Sequence, residues 1–406
     1  MHRLRLRLSV FTLGHFLVDL HSGMLPVILI YQRQALGLSL AQVGAIAGVY
    51  NFGISLTQPL FGHLADRFGE TPFAAGAMLW ISAMGASLGF APSFTILLLC
   101  AGFQSFGSAA YHPTAASGAG RLATGKRGFS MSVFLSGGSL GTTLGPMIAA
   151  LVIEATGLHG TAWIGLGAFS LALVLATLLS LRWPAGQVER ALASSSPSQP
   201  EGQPARLPLS GVFLLSAVAL LVVTGVRTWV HQSLNTYLPQ YLAAQGYSAL
   251  DASRWLSVML AAATLGILVG GPLSDRFGPR AVCVSALAGL AVSIELLARH
   301  LGLVPLGFLV ALAGFSVGLP LPMTLVVGQA LLARSAGLAS GLVLGTSFVF
   351  GALGVMVTGL VADADNLSLA LLALSGVALA AMLAAWFLPH KQAASSGREA
   401  ASSVST

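Results

Sequence analysis

The sequence predicts an all-α membrane protein with twelve transmembrane helices arranged in two pseudo-symmetric halves of six helices each. Three observations support this fold class. The chain of 406 residues is 55% hydrophobic and only 8% charged, whereas soluble domains carry about 25% charged residues. The apolar residues form runs that are long enough for helices to cross a hydrocarbon core of about 30 Å. A motif also recurs at a fixed offset, which indicates an internal duplication.

The apolar runs define the predicted spans in chain order. The first run resembles a signal peptide, but it extends past Ile30, contains Asp19 and has no small-residue cleavage pattern, so we interpret it as a span. The spans are predicted at 8–31, 41–63, 72–91, 94–117, 129–155, 160–182, 210–241, 250–273, 280–299, 302–330, 336–361 and 367–388. The halves are therefore 1–182 and 210–390. A Pro- and Ser-rich cytoplasmic linker joins them at 183–209, and a polar tail expected to be disordered follows at 391–406.

The distribution of basic residues predicts the orientation. With twelve spans both termini lie on one side, and fifteen of the nineteen Lys and Arg residues fall there: Arg3, Arg5, Arg7, Arg67, Arg121, Lys126, Arg127, Arg182, Arg190, Arg206, Arg276, Arg280, Arg334, Lys391 and Arg398. The opposite side has Arg33, Arg254 and Arg299, and Arg227 lies inside a span. Both termini are therefore predicted to be cytoplasmic. The net charge of +7 follows from this topology, so it does not indicate a nucleic-acid partner.

The segment GHLADRFG at 62–69 recurs as GPLSDRFG at 271–278, an offset of 209 residues. The same offset carries Pro113 onto Pro322 and Gly145 onto Gly354. Two halves related in this way place a substrate site at the midplane between them, with alternating access.

The repeated loop resembles the signature loop of the major facilitator superfamily. Its acidic residues can cap helix N-termini and pair with arginines when the cytoplasmic side is closed, which predicts a gate formed by Asp66, Arg67, Arg121, Asp275 and Arg276. The superfamily pattern usually continues with basic residues, whereas the first copy continues with Glu70 and Thr71. That departure is expected to weaken the gate.

A closer resemblance is to the fosmidomycin resistance protein family. It is carried by GHFLVDL (14–20), QPLFGHLADRFG (58–69), YHPTAASGAGR (111–121), SGGSLGTTLGP (136–146) and SGLVLGTSFVFGALG (340–354). The resemblance implies the twelve-helix fold and drug efflux by proton antiport. Gly145 and Pro146 end a run similar to the glycine–proline pattern of antiporters, with generic small-residue packing as the alternative.

Charged groups at bilayer depth are costly unless they are paired or face water, so each is a functional candidate. Asp19 lies halfway along the first span and shares a helix face with His15, which predicts a proton carrier. Arg227 lies in the seventh span with His231 one turn away, and both are candidates for substrate binding. The offset carries Asp19 onto Thr228, next to Arg227. The two charges could therefore face each other across the cavity, with a permanent structural ion pair as the alternative.

Polar residues of two further spans complete the candidate site. In the fourth span Ser108 and His112 share a face with Gln104 at its edge. Ser108 and Gln104, like His15 of the first span, are candidate substrate contacts, and His112 is a second candidate for proton coupling. In the second span Asn51 and Gln58 are candidate substrate contacts, with packing between helices as the alternative.

These features predict proton-coupled efflux of a small drug or toxic metabolite across a bacterial inner membrane, with an anionic or phosphonate-like compound as one candidate class. The alternative is proton–solute symport, which the same residues would serve. An enzyme is disfavoured because H-E-x-x-H does not occur and only one aspartate, Asp19, lies near the centre of a span, and the duplicated gate loops argue against a channel or receptor. The expected partners are the substrate, protons and lipid, with a monomeric protein. The cysteines, Cys100 and Cys283, make no metal-binding spacing, so no metal or cofactor is expected.

Overall fold

The structure is a computed structural model, and it describes residues 2–121, 127–181, 211–299, 302, 304–331, 336–364 and 366–388. Within these ranges the chain is helical and contains no β-strand. Twelve segments of the described chain are long and apolar enough to cross a membrane, which confirms the predicted fold class. The linker predicted at 183–209 and the tail predicted at 391–406 lie outside the described residues.

Several of the helices are longer than the predicted spans because they continue beyond the apolar run, whereas others are equally long or shorter. In chain order they are α1 (His2–Leu36), α2 (Leu40–Phe68), α3 (Glu70–Ser87), α4 (Phe94–Arg121), α5 (Arg127–Thr156), α6 (Thr161–Ser180), α7 (Gly211–Ala244), α8 (Ala249–Phe277), α9 (Pro279–Ala298), α10 (Leu306–Gly318), α11 (Leu321–Leu331), α12 (Ala336–Ala364) and α13 (Leu367–Ala385).

The tenth predicted span, 302–330, is not one continuous helix. A turn at Leu319 and Pro320 separates α10 from α11. Pro320 and Pro322 each lack a backbone N–H, so two donors are missing within three residues of a helix that would otherwise continue. The matching helix of the first half, α4, contains only Pro113 and stays unbroken. The predicted span is confirmed as one apolar segment, Leu306–Gly328, that is long enough to cross a membrane, and the turn divides it into two helices.

Packing divides the chain into two compact units. The first contains residues 1–199, 233–261 and 355–367, and the second contains 200–232, 262–354 and 368–406. In the first unit the buried core includes Phe11 and Tyr111, and the Tyr111 hydroxyl donates to the Phe11 carbonyl oxygen at 2.6 Å. This contact joins α4 to α1.

Glycines allow α5 to approach α1 closely. A Cβ added to Gly145 would lie 2.5 Å from the carbonyl oxygen of Leu20, so any larger residue would separate the two helices. The second unit contains the equivalent contact, in which a Cβ on Gly354 would collide with the ring of Trp229. Both members of this second pair lie 209 residues after the first pair. The duplication is therefore visible in the packing as well as in the sequence.

Candidate functional site

Asp19 lies between two histidines in the interior of the first unit. Its Oδ2 is 3.3 Å from Nε2 of His15 on the same helix, and its Oδ1 is 3.1 Å from Nε2 of His112 on α4. The exposed fractions of the side chains are 5% for His15, 16% for Asp19 and 29% for His112. We refer to these three side chains as the Asp19 cluster. The cluster is mostly withdrawn from solvent, and His112 forms its most accessible side.

The second ring nitrogen of each histidine is already engaged by a backbone carbonyl. Nδ1 of His15 is 2.9 Å from the carbonyl oxygen of Phe134 on α5, and Nδ1 of His112 is 2.8 Å from that of Ser108. A carbonyl oxygen only accepts hydrogen bonds, so both Nδ1 atoms carry the hydrogen, and each neutral ring presents a bare Nε2. Each contact between Nε2 and Asp19 therefore needs a proton, on either the histidine or the carboxyl group.

This arrangement can hold a variable number of protons without moving a heavy atom. With no shared proton the cluster is anionic, and both Nε2 lone pairs face carboxylate oxygens. One proton makes the cluster neutral, and two make it cationic with both contacts satisfied. A net charge inside a membrane protein is costly unless it is compensated. The charge of the cluster is therefore directly linked to the number of protons it holds.

A stacked ring and a glycine enclose the His15 side of the cluster. The His15 ring stacks on Phe134 at a centroid distance of 4.3 Å, and His112 meets His15 edge-on at 5.2 Å. A Cβ added to Gly138 on α5 would lie 2.5 Å from both Oδ2 of Asp19 and Nε2 of His15. Sequence reasoning missed Phe134 and Gly138, although the glycine pair at 137–138 was a signal of close backbone approach.

Two tyrosines near the cluster have hydrogen-bond partners of their own. The hydroxyl groups of Tyr50 on α2 and Ser22 on α1 are 2.6 Å apart, and either can be the donor. Tyr111 donates to a carbonyl oxygen of α1, and its ring centroid is 6.2 Å from that of His15. Ser22 follows Asp19 on α1, so the Tyr50 contact extends the polar face of this helix towards α2.

The Asp19 cluster is also the one group of described side chains whose possible metal-binding atoms all converge within 4.8 Å. The two Nε2–oxygen distances are those of hydrogen bonds. These distances fit shared protons, and the role of the cluster in proton coupling stays a prediction.

The remaining polar candidates of α2 and α4 are only partly brought together. Ser108 supports His112 through its carbonyl oxygen and through Oγ, which is 3.2 Å from Nδ1. Gln104 is buried, it lies with His21 beside Gly85, and its Oε1 has no partner among the described residues. Asn51 donates to a carbonyl oxygen of its own helix at 2.8 Å, and Gln58 is half-buried further along α2. Their role in substrate binding stays a prediction.

Arg227 is buried in the second unit and contacts the end of the broken helix. Nη2 donates to Oγ1 of Thr228 at 2.9 Å, and Nη1 donates to the carbonyl oxygen of Val317 at 3.4 Å. Val317 lies in the last turn of α10, where carbonyl groups lack intrahelical donors and the helix dipole is negative. Within this unit no described carboxylate pairs with Arg227, and its Nε has no described partner. His231 lies one turn further along α7, and its Nδ1 also lacks a described partner.

The two repeated loops have the same backbone geometry. Gly69 and Gly278 have φ angles of +90° and +86°, which favour glycine. Each donates its N–H to the carbonyl oxygen four residues earlier at 2.8 Å. Arg67 and Arg276 each lie over the ring of the following phenylalanine, at 5.4 and 5.1 Å. The duplicated sequence thus forms the same turn twice.

The other predicted gate residues keep that role as a prediction. Asp66 and Asp275 are exposed near the ends of α2 and α8. Arg121 is the last residue of α4, and its side chain lies outside the description. Gly145 contacts α1 as described above, and Pro146 follows it inside α5.

Glu70, which stands where the superfamily pattern usually has a basic residue, faces α1. One carboxylate oxygen of Glu70 lies 3.9 Å from Nη2 of Arg7, and the same nitrogen donates to Oγ1 of Thr71 at 3.1 Å. The side chains of Arg7 and Glu70 are only 12% and 14% exposed. Glu70 and Thr71 therefore anchor the start of α3 to α1.

Comparison with known proteins places these features in a family context. The sequence model described as Major Facilitator Superfamily matches residues 11–263. The chain is 29% identical over 364 residues to the fosmidomycin resistance protein of Escherichia coli strain K12, covering 89% of this chain and 87% of that protein. It is also 29% identical over 399 residues to the uncharacterized MFS-type transporter YfnC of Bacillus subtilis strain 168, covering 95% and 93%.

Solved structures share the fold at low sequence identity. A bacterial homolog of the human lysosomal transporter Spinster, in an inward-facing and occupied conformation, gives a TM-score of 0.77 at 17% identity, covering 93% of this chain and 95% of that one. A D-xylose–proton symporter gives a TM-score of 0.75 at 16% identity, covering 95% and 98%. These two likenesses concern the fold alone.

Proposed function

Because the chain belongs to the Major Facilitator Superfamily and is a multi-pass membrane transporter, we propose that it exports a small anionic molecule in exchange for protons. It would act in a bacterial inner membrane with both termini in the cytoplasm. The similarity to the fosmidomycin resistance protein supports a phosphonate drug such as fosmidomycin as a substrate.

The geometry of the Asp19 cluster is the observation that carries the proton-coupling part of the proposal. Both histidines are held in the tautomer that turns a bare Nε2 towards the carboxylate. The cluster therefore binds protons at fixed positions, with the partly exposed His112 as the route of entry and exit.

The cluster is also built so that movement of helices would change its proton content. His15 and Asp19 belong to α1, His112 belongs to α4, and the Phe134 carbonyl that holds His15 belongs to α5. A shift of α4 against α1 would break the contact between Asp19 and His112 and leave a proton without its second partner. Alternating access would thereby load the cluster on one side of the membrane and unload it on the other.

Arg227 is proposed to bind the anionic group of the substrate. Its guanidinium is buried, has free hydrogen-bonding capacity at Nε, and has no described acid partner in its own unit. A bidentate oxyanion such as a phosphonate suits these donors. Since two histidines already contact Asp19, the proposal does not require Arg227 to compensate that charge.

Symport remains the second candidate, because a proton-holding cluster serves either direction of coupling. The glycine–proline run ending at Gly145 and Pro146 and the similarity to a drug-resistance protein favour export.

Transport into proteoliposomes distinguishes the two directions. With fosmidomycin as the probe, antiport predicts accumulation when the lumen is made acidic, because protons leaving the vesicle drive the drug inwards. Symport predicts accumulation when the lumen is alkaline. Uptake driven only by an alkaline lumen would overturn the antiport proposal.

Asp19→Asn tests the assignment of the proton site. We expect loss of acid-driven accumulation, while exchange of labelled for unlabelled fosmidomycin across the membrane continues, since the substrate site is intact. Asp251→Asn is the matched control, because the Asp251 side chain is 44% exposed and its described contacts are with Ser248 and Arg254, at the start of α8. Normal acid-driven accumulation in Asp19→Asn would remove the cluster from the mechanism.

A further inference from the structure

Asp363 joins the end of α12 to the beginning of α2, on the membrane side opposite the repeated loops and within the first unit. Its Oδ1 accepts a hydrogen bond from the backbone N–H of Leu40 at 2.6 Å, and its Oδ2 accepts one from Ala41 at 3.0 Å. Leu40 and Ala41 are the first two residues of α2. The carboxylate therefore binds the positive end of that helix with both oxygens.

Glu154 makes the corresponding contact between α5 and α8 in the same unit. Its Oε1 accepts a hydrogen bond from the backbone N–H of Leu250 at 3.2 Å, and Leu250 is the second residue of α8. An acid near the end of one helix again reaches the start of another helix that is distant in sequence.

These two contacts are copies of each other under the internal repeat. Adding 209 to Glu154 gives Asp363, and adding 209 to Ala41 gives Leu250. The N-terminal caps repeat as well. The Ser39 hydroxyl accepts a hydrogen bond from the backbone N–H of Gln42, the third residue of α2. The hydroxyl of Ser248, 209 residues later, accepts one from the backbone N–H of Asp251, the third residue of α8. In each case an acid from one predicted half binds a helix start of the other half.

At α2 the acid completes the set of hydrogen bonds at the start of the helix. The capping box satisfies the N–H groups of Ser39 and Gln42. The two N–H groups between them, which belong to Leu40 and Ala41, are the ones that Asp363 binds. If α12 moved away, these two donors would be left to water, which can replace the carboxylate on an exposed surface. The contact is thus suited to opening and closing.

Close packing of α2 on α12 lies directly below this contact. A Cβ on Gly359 would lie 2.7 Å from the carbonyl oxygen of Leu40, and a Cβ on Gly48 would lie 2.5 Å from Cε of Met356. The hydroxyl of Tyr237 bridges the two helices through the carbonyl oxygens of Leu40 and Val355, at 3.2 and 3.0 Å. Separation of α2 from α12 must therefore break the Asp363 contact.

We propose that Asp363 and Glu154 are a pair of outer latches that hold this side of the transporter closed, and that both must release when the side opens. Each latch fastens an acidic side chain of one half to the N-terminus of a helix in the other half. The proposal depends on transport by alternating access and is independent of the substrate, the proton site and the direction of coupling.

Labelling of a buried cysteine tests the latches. Val43 lies one turn into α2 and is fully buried, so we place Val43→Cys in a chain whose Cys100 and Cys283 are replaced by alanine. We measure its reaction with a membrane-impermeant maleimide. Asp363→Asn with Glu154→Gln removes both charges and retains one oxygen acceptor in each side chain. We expect labelling to become about four- to twenty-five-fold faster, since each of the two charges at a helix terminus biases an equilibrium by a factor of about two to five.

Glu295→Gln is the matched control, because Glu295 is also at a helix end but pairs with Arg299 on its own helix. It should label at the parental rate. Parental labelling of the double variant at Val43→Cys, and at a second reporter at the buried Ala47, would overturn the proposal. A lower melting temperature without faster labelling would mean that the acids are static caps and would also overturn it. Neither result depends on proton-coupled transport of fosmidomycin.

Discussion

Gly138→Ala tests whether the geometry of the Asp19 cluster, rather than only its chemical groups, couples protons to transport. The new methyl group would lie 2.5 Å from Oδ2 of Asp19 and from Nε2 of His15. Ordinary contacts need about 3.5 Å, so these atoms must move by about 1 Å. The Asp19–His15 distance is already 3.3 Å, and any comparable displacement ends the hydrogen bond.

The size of the effect follows from the contact that is lost. A hydrogen bond to a charged group contributes about 1.5–3 kcal/mol, which corresponds to a change of about 10- to 100-fold in the population of the intact cluster. The helix itself gains about 1 kcal/mol from alanine in place of glycine. Folding should therefore be affected less than coupling. We expect acid-driven accumulation of fosmidomycin to fall at least tenfold, while exchange across the membrane persists.

The assay is the proteoliposome measurement proposed for Asp19→Asn, with thermal unfolding measured on the same samples. Gly167→Ala on α6 is the matched control, because a Cβ at that position has no atom within 4 Å. If Gly138→Ala accumulates the drug like the parent protein, the contact between Asp19 and His15 is not needed for coupling, and the reasoning fails.

Two further predictions concern charges outside the cluster. Arg227→Gln should raise the KM for fosmidomycin by about 10-fold or more, because a charge-assisted hydrogen bond is lost, and it should not change the direction of proton coupling. Arg254→Gln, at an exposed ion pair, is the control. An unchanged KM in Arg227→Gln would exclude Arg227 from the site. Glu70→Lys introduces the basic residue that is usual in the superfamily. The new lysine would face Arg7, so the variant should have a lower melting temperature, and adding Arg7→Glu should restore the parental value. Equal melting temperatures for the parent protein and Glu70→Lys would mean that the ion pair contributes nothing to stability.

Much of the fold could be predicted because its causes are local or periodic. A helix that crosses lipid needs a long apolar run, and a duplication leaves a constant offset, so both are visible in the sequence. The break in the tenth span was harder to predict, since one proline is tolerated in α4 at Pro113. The second half has Pro322 at the equivalent position and a second proline at Pro320, so one more backbone N–H donor is missing than in α4.

The site was predicted less completely, because partners across helices are not encoded in spacing. The sequence placed His15 and Asp19 on one face and Ser108 and His112 on another, and the structure brings these two faces together. It could not show that backbone carbonyls fix both rings in one tautomer, because one of these carbonyls, that of Phe134, belongs to a third helix. The predicted approach of Asp19 to Arg227 rested on the repeat alone and stays a prediction.

The repeat itself indicates how the functions are divided. Equivalent residues retain their contacts where the two halves must move alike, as in the glycine contacts of α5 and α12 and in the latches at Glu154 and Asp363.

At the centre the equivalence is lost, since the positions of His15, Asp19 and His112 correspond to Thr224, Thr228 and Leu321. The second half therefore cannot build a copy of the proton-holding cluster at these positions. Instead it has the buried Arg227 on α7, which contacts the end of α10 where the helix is broken. Under the proposed function, a duplicated module that retains its glycine contacts and latches but differs at its centre would let one half respond to protons and the other to cargo.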